Sequence, residues 1–479
     1  MTNAITDRKV TIIGAGLGGC LLAIYLAKRG FEVEVYERRG DSRCESAESG
    51  RSINMTLAER GLRALEAAGA LDEVLKVTVP VKGRMVHAVD GSRIYQPYGK
   101  DDHEILHAIM RGDLNTTLLN IAESYPNVKT FFKTRCVSIG NRMGEAEFSD
   151  EVTGRQFTID ANRIIGADGT FSTVRQQMPR LNYRQEFLDH GYKELRIPPG
   201  PARAFNVKEN ALHVWPRGDR LLIAIPNRDH SFTCTCVLPY EGDPSFESIK
   251  TPRDAVEFFK SYFPDALPLI PDLGAAFTAN KPANFITTYT SPWYCGDRIV
   301  LLGDACHSVL PFYGQGMNAA FEDCLVLSEC IDRHGADWEG AFKEFQMARK
   351  PNTDVLAELS KENFVVLCKK AKSPLFIAYK KLDTLLSKLL PRVWVPLYTM
   401  ISHTSMPYKE AVDRSRRQER IAKLLGMNVA ILIIAAAIMA AKLVSTIASK
   451  LQGHLGSGLL DPPQVYRPAI VREEPMSGD

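Results

Sequence analysis

Asp304, Cys306 and His307 lie within four residues of one another, in GDACHSVLPFYGQGMN, which runs from 303 to 318. A carboxylate, a thiol and an imidazole so close together raise two chemistries: a metal centre, or a thiol held beside its base. The rest of the chain supports neither. No partner ligand stands at a metal-site spacing, and the ten cysteines are scattered without a C-x-x-C, which also fits a reducing compartment. Neighbours in sequence rarely face each other within one regular element, so Cys306 and His307 are not expected to meet. The glycines and Pro311 that follow point instead to a loop shaped against a flat group.

A second constellation opens the chain, in RKVTIIGAGLGGCLLAIYLAKRGFEVEVYE. VTII reads as a buried parallel strand, 21–28 as a helix and 31–36 as the next strand. Gly14, Gly16 and Gly19 form G-x-G-x-x-G between strand and helix, and Glu37 stands 23 residues after Gly14. Each part has a physical task. Gly14 makes the tight turn, Gly16 lets a pyrophosphate approach the backbone, and Gly19 lets helix and strand pack closely. The helix N-terminus supplies amides for the phosphates, and Glu37 can accept from a ribose diol. The motif leaves NAD and FAD open.

The elements that must position these residues are read from the whole chain. At 479 residues, two or more domains are expected. A net charge of +3 and the absence of a basic run interleaved with aromatics exclude a nucleic-acid partner. Residues 56–77 read as a helix pair, 84–96 as strands, 112–123 as a helix and 128–167 as several strands. In RIIGADGTFSTVR (163–175) a buried strand meets Asp168-Gly169, and Ser172 and Thr173 can cap a short helix ending near Arg175. DRIVLLGDACHS repeats the device, with a strand over 299–302 ending at Gly303-Asp304 and a helix beginning near Gly316. Stretches 211–227 and 230–240 read as antiparallel strands, with Cys234 and Cys236 pointing the same way. Residues 340–412 read as helical.

The C-terminus departs from this pattern. Leu424 to Ala441 are eighteen residues without a charge, preceded by Arg414, Arg416, Arg417, Arg420 and Lys423. That run predicts a membrane-spanning helix with the large N-terminal part on the cytosolic side. A buried core helix is the other reading. The Pro/Gly-rich tail beyond it predicts disorder.

The ordered set GAGLGG (14–19), ADG (167–169) and GD (303–304) resembles the FAD-dependent aromatic hydroxylases, over about residues 8–330. A closer resemblance is to the kynurenine 3-monooxygenase family. It is carried by GRSINMTLAERG (50–61), KGRMVH (82–87), QPYG (96–99), PFYGQGMNAAFEDC (311–324), ENF (362–364) and VPLYTMISHTSMPY (395–408), and it extends to about residue 445. The resemblance implies an α/β fold: a Rossmann-type FAD-binding domain (1–74, 105–182 and 296–340) with an inserted antiparallel-sheet substrate domain (75–104 and 183–295). A helical region (341–412), a single transmembrane anchor (424–444) and a disordered tail (452–479) follow. In animal and fungal members the anchor sits in the mitochondrial outer membrane.

The same resemblance assigns FAD contacts to Gly14, Gly16, Leu17, Gly18, Gly19, Glu37, Arg38, Arg39, Thr56, Arg111, Cys136, Asp168, Thr173, Asp304, Gly316, Met317 and Asn318. Asp304 becomes the ribityl contact, and the helix after Gly316 aims its positive end at the flavin ring. Cys306 becomes a small residue in a turn and His307 a packing group. Substrate contacts fall on Arg84, Tyr98, Asn363 and Tyr398, with Arg84 suited to a bidentate carboxylate. No side chain is assigned a catalytic role and no metal is implied. The implied reaction is NADPH-dependent hydroxylation of L-kynurenine to 3-hydroxy-L-kynurenine by O2, through a C4a-hydroperoxyflavin, with NADPH binding only transiently. Two other readings are a related monooxygenase or epoxidase acting on another aromatic or lipid, and a membrane-tethered flavoprotein without turnover.

Overall fold

The computed structural model describes residues 8–44, 53–99, 104–140, 144–368, 383, 385–391 and 393–424. The chain forms two compact units, 1–415 and 416–479. In the second, 416–424 is helical. The anchor expected over 424–444, apart from Leu424, and the tail expected over 452–479 lie outside the described residues. No helix among the described residues is long and apolar enough to cross a membrane.

The first unit is built on a six-stranded sheet. Its order is Tyr294–Cys295, Ile299–Leu301, Ile164–Gly166, Lys9–Ile13, Glu32–Tyr36 and Val128–Phe131. All neighbours are parallel except the first pair. The helix expected at 21–28 begins earlier, at Leu17, because Gly16 takes the N-cap position. Gly19 to Ala27 of this helix are all buried, as its apolar sequence requires, under the helices Glu59–Ala68, Arg111–Glu123 and Gly316–His334. Tyr25 Oη donates to Ala64 O at 2.6 Å across one of these contacts. The 56–77 region is a helix pair only from Glu59. Asn54–Leu57 is a strand paired antiparallel with Leu106–Met110, so tertiary pairing overrides local helix propensity there.

A seven-stranded sheet collects Ala283–Ser291, Asn182–Ile197, Phe232–Pro239, Arg220–Pro226, Ala211–Arg217, Gly83–His87 and Arg93–Pro97, in that order. It is not antiparallel throughout, as the sequence reading expects. Gly83–His87 runs parallel to Ala211–Arg217. These two strands come from separate segments of chain, so no hairpin forces them antiparallel. Alternation divides the sheet faces. Cys234 and Cys236 do share a face, with Trp215, Leu222 and Ala224, and it is covered by the helices Pro252–Tyr262 and Leu273–Ala279. On the other face Val214, Leu221 and Val237 meet Phe285, Phe312 and Phe364. The nine cysteines whose side chains are described are all free.

One polar knot lies on the covered face. Asp265 accepts from Trp215 Nε1 at 2.8 Å and meets His87 Nδ1 at 2.8 Å, while His87 Nε2 meets His213 Nδ1 at 2.8 Å. His87 is 2% exposed and stacks on Trp215 at 4.0 Å, so it cannot turn to water if Asp265 is removed. Asp265→Ala should therefore lower the unfolding free energy by about 2–3 kcal/mol. The check is a lower urea midpoint at unchanged slope.

Candidate active site

Strand Ile164–Gly166 lies between Lys9–Ile13 and Ile299–Leu301, so the carboxyl ends of three parallel strands are adjacent. Ala167 N donates to Ile13 O and Leu302 N donates to Gly166 O, each at 2.9 Å. This brings GAGLGG, ADG and GD to one edge of the sheet. Gly14 has φ +108°, and a Cβ on it would lie 2.5 Å from Ala167 O, so the approach of the first two turns requires glycine. A Cβ on Gly19 would lie 2.0 Å from Gly14 O. Gly16 is different: with φ −74° its backbone suits any residue, and an added Cβ would meet nothing within 4 Å. Its missing side chain leaves open space at the start of a helix whose first residues are Leu17 and Gly18 and which has no side-chain cap.

Glu37 is buried at the end of the second strand. Its Oε2 accepts from Ala15 N at 2.9 Å, and its Oε1 accepts from Arg39 N at 3.0 Å and from Arg39 Nε at 3.1 Å. The carboxylate thus fixes the glycine turn; Oε1 has both lone pairs engaged, and Oε2 keeps one. Arg38 and Arg39 are both exposed beside it. Asp168 closes the second turn. Its Oδ2 accepts from Thr173 N at 2.6 Å and from Val174 N at 3.2 Å, beside the expected Ser172 cap on Arg175 N at 2.9 Å. Asp168 Oδ1 is buried and has no partner among the described residues. Cys136 sits on the outer strand of a three-stranded sheet with its thiol packed in the core, so only its backbone is available to a cofactor.

The third turn presents Asp304. Its side chain is exposed yet deeply set: desolvation raises its carboxyl above the ordinary range, and His307 and Arg111 oppose that rise. Arg111 is exposed at the start of its helix, and its backbone N donates to Ile53 O at 2.9 Å. The helix Gly316–His334 also begins without a side-chain cap, leaving the amides of Gly316, Met317 and Asn318 to other acceptors. The Asn318 side chain is already engaged. It accepts from Ala58 N and donates to Thr56 O and Gly314 O, each at 2.9 Å. It therefore ties the Thr56 strand to this helix, and only its amide is free for a cofactor.

Two groups here escape sequence reasoning. Arg175 is fully buried, donating from Nη1 to Ala305 O at 2.8 Å and from Nη2 to Thr170 O at 2.6 Å, which stitches the second turn to the third. Nothing in its local sequence marks it. The other is the cluster around Cys306 and His307, which do meet, against the expectation. Their side chains come together with that of Asp323, with ligand atoms within 4.8 Å of one another. The reason is local: Asp304–His307 is a single helical turn that ends in extended backbone at Ser308, so the spacing rules of regular elements do not hold. The trio still does not suit a metal. Asp323 Oδ2 pairs with His307 Nε2 at 2.5 Å and its Oδ1 with Arg349 Nε at 2.7 Å, so both oxygens face cationic partners. Burial alone would lower the imidazole, but Asp323 and Cys306 raise it well above its ordinary value.

Beside this edge stand the residues expected to hold a substrate. Tyr98 and Tyr398 stack at 5.4 Å, and Tyr313 faces Tyr398 at 6.1 Å. Burial raises all three phenols, and the charge of Arg84 opposes that rise at each of them. Arg84 Nε is buried with no partner among the described residues. Asn363 Nδ2 donates to Phe312 O at 2.8 Å, so this side chain acts first on the aromatic wall of Phe285, Phe312 and Phe364. Arg84, Tyr98 and Tyr398 are thus brought together, with Asn363 one step removed. Tyr313 joins them although the sequence marks it only as part of a loop.

The residues at the sheet edge fit a bound FAD: there is room at Gly16, an unpartnered acceptor at Asp168 Oδ1 and an open carboxyl at Asp304. Residues 7–332 match the family described as FAD binding domain. Kynurenine 3-monooxygenase of Salinispora arenicola is 46% identical over 437 residues, covering 90% of this chain and 96% of that protein. That of Myxococcus xanthus is 43% identical, covering 84% of this chain and 87% of its own. Among solved structures, 2-methyl-3-hydroxypyridine-5-carboxylic acid oxygenase shares the fold with TM-score 0.62 at 22% identity, over 77% of this chain and 94% of its own. PqsL of P. aeruginosa does so with TM-score 0.64 at 20% identity, over 78% and 99%. The chain belongs to the kynurenine 3-monooxygenase family of FAD-dependent enzymes.

Proposed function

We propose that this chain hydroxylates L-kynurenine to 3-hydroxy-L-kynurenine, with FAD bound at the sheet edge and NADPH and O2 as co-substrates. The observation that carries the substrate is the unpartnered Arg84 Nε beside the Tyr98–Tyr398 pair. Kynurenine carries a carboxylate and an ortho-aminobenzoyl ring. The guanidinium fork of Arg84 binds the carboxylate bidentately, and a tyrosine hydroxyl donates to the same group. Asn363 holds Phe312 in place, so the aromatic wall keeps the benzoyl ring in one orientation and excludes water. FAD, once reduced by NADPH, supplies the activated oxygen. The ring amine already makes the adjacent carbon nucleophilic, so no side chain is needed as acid or base. Asp304, Glu37, Asp168 and the unblocked amides at Gly16 and Gly316 hold the cofactor by its hydroxyls, phosphates and ring.

The domain division follows the sheets. Every strand of the seven-stranded sheet falls within 75–104 or 183–295, apart from Asn182 at one strand's start. Residues 424–444 anchor the enzyme to a bilayer, with its catalytic part in the cytosol. This reading is supported by the uncharged run 424–441 and the five basic residues between 414 and 423. A mitochondrial outer membrane address applies to a eukaryotic source.

The function is tested by oxygen uptake with NADPH, which L-kynurenine should stimulate with formation of 3-hydroxykynurenine. Bound FAD without that stimulation overturns the substrate reading and favours a relative acting on another compound. Arg84→Lys keeps the charge but loses the fork, and should raise KM for kynurenine about 10- to 100-fold, with kcat changed much less. Gly16→Ala places its methyl in open space, so the thermal midpoint should stay near that of the parent chain. FAD affinity, read by flavin fluorescence on titration, should drop about tenfold or more, because the phosphate loses its approach. Deletion of residues 424–479 should move the protein from the membrane pellet to the supernatant on fractionation.

A further inference from the structure

The reading of Asp304 as a cofactor contact leaves unexplained why so many charges are buried behind it. His307 is 4% exposed, Asp323 0% and Arg349 3%. Arg349 reaches three acceptors: Asp323 Oδ1 at 2.7 Å, Glu322 Oε2 at 2.5 Å and Ala319 O at 3.1 Å. Arg60 adds a contact from Nη1 to Glu322 Oε1 at 3.4 Å, and lies over the Tyr408 ring at 3.9 Å. The chain of pairs therefore runs from the turn that holds Asp304, across the Gly316–His334 helix, to the helix Trp338–Cys368.

A protonated His307 satisfies this geometry and a neutral one does so less well. Its Nε2 faces a carboxylate oxygen at 2.5 Å, where only an N–H is tolerated, and the Cys306 sulfur lies within 4.8 Å of a ring nitrogen. The Cys306 thiol itself donates to Gly303 O at 3.2 Å, so it offers its sulfur lone pairs to the ring. Its other neighbours are the Trp293 ring at 5.2 Å, which brings no charge, and Asp304, on which it acts electrostatically. Arg349 and Arg60 already stand against Asp323 and Glu322, so a charged His307 is the cation of this chain that faces Asp304. The two lie three residues apart, in the same helical turn.

We propose that His307 is a permanently charged positioning residue: paired to Asp323, it fixes the turn that presents Asp304 and supplies a buried positive charge that favours the reduced, anionic flavin. It acts alongside the uncapped start of the Gly316–His334 helix, which contributes a partial charge of the same sign. The inference rests on the reading of this edge as the FAD site and is independent of the substrate.

The test uses holoenzyme without kynurenine. His307→Gln keeps a hydrogen-bonding side chain and removes the charge. Asp323→Asn keeps the imidazole and removes its counter-ion. His307→Gln should weaken the preference for reduced over oxidised flavin by about tenfold, which is ~30 mV lower in midpoint potential for a two-electron couple. Asp323→Asn, which loses a negative charge along with the imidazole charge it supports, should shift the potential less and leave the imidazole neutral at pH 9. A folded His307→Gln holoenzyme with unchanged potential overturns the proposal. Should the variants not fold, 15N spectra of histidine-labelled parent holoenzyme decide it. An imidazole protonated on both nitrogens at pH 9 is expected, where ordinary histidines are neutral; its absence also overturns the proposal. A parent enzyme that shows the charged imidazole and the shifted potentials but does not oxidise NADPH with kynurenine sinks the substrate reading alone.

Discussion

The register of three short strands controls the whole cofactor edge. Thr11 pairs with Ile164 and Ile164 with Ile299, so the glycine turns after Ile13, Gly166 and Leu302 end at nearly the same height. Parallel strands separated by more than a hundred residues cannot be aligned by a hairpin. They are aligned by a buried helix and by two backbone hydrogen bonds that continue the ladder past the strand ends. Gly14 is the point at which this alignment becomes a steric demand, since its missing side chain lets the Ala167 carbonyl approach. Arg175 then fixes the second turn to the third by donating to a carbonyl in each.

The first strand, its glycine turn, its helix and Glu37 are legible in sequence because they are contiguous and each obeys a local rule. The convergence of ADG and GD on that turn is not a local property, and is read only through resemblance. The same is true of Arg84, Tyr98 and Tyr398, which come from a strand, the end of a hairpin and a helix three hundred or more residues away. Two failures are more instructive. The strand Asn54–Leu57 lies in a stretch rich in helix formers, and its pairing with Leu106–Met110 decides its state. His307 and Asp323 are sixteen residues apart on different elements, so no spacing rule links them, and the adjacency of Cys306 to His307 draws attention to the wrong partner.

Two neighbouring carboxylates end on opposite sides of the ordinary range although desolvation acts upward on both. Desolvation raises Asp304, whose side chain is left open toward the cofactor edge, whereas Asp323, wholly buried, is held below the usual carboxylate range by His307 and Arg349. The difference lies in fixed partners. A carboxylate with both oxygens on cations is a structural ion and stays charged, while one left open keeps its lone pairs for a ligand's hydroxyls.

That contrast explains why the charges are arranged in a chain and not as isolated pairs. A lone buried histidine near Asp304 would be neutral, because desolvation disfavours its charged form. Asp323 reverses this, but an aspartate buried only with a histidine would itself be exposed to protonation. Arg349, whose guanidinium cannot lose its proton, holds Asp323 ionised, and Asp323 in turn holds His307 protonated. Charge is thus imposed from the far side of the Gly316–His334 helix and delivered to the turn beside the cofactor.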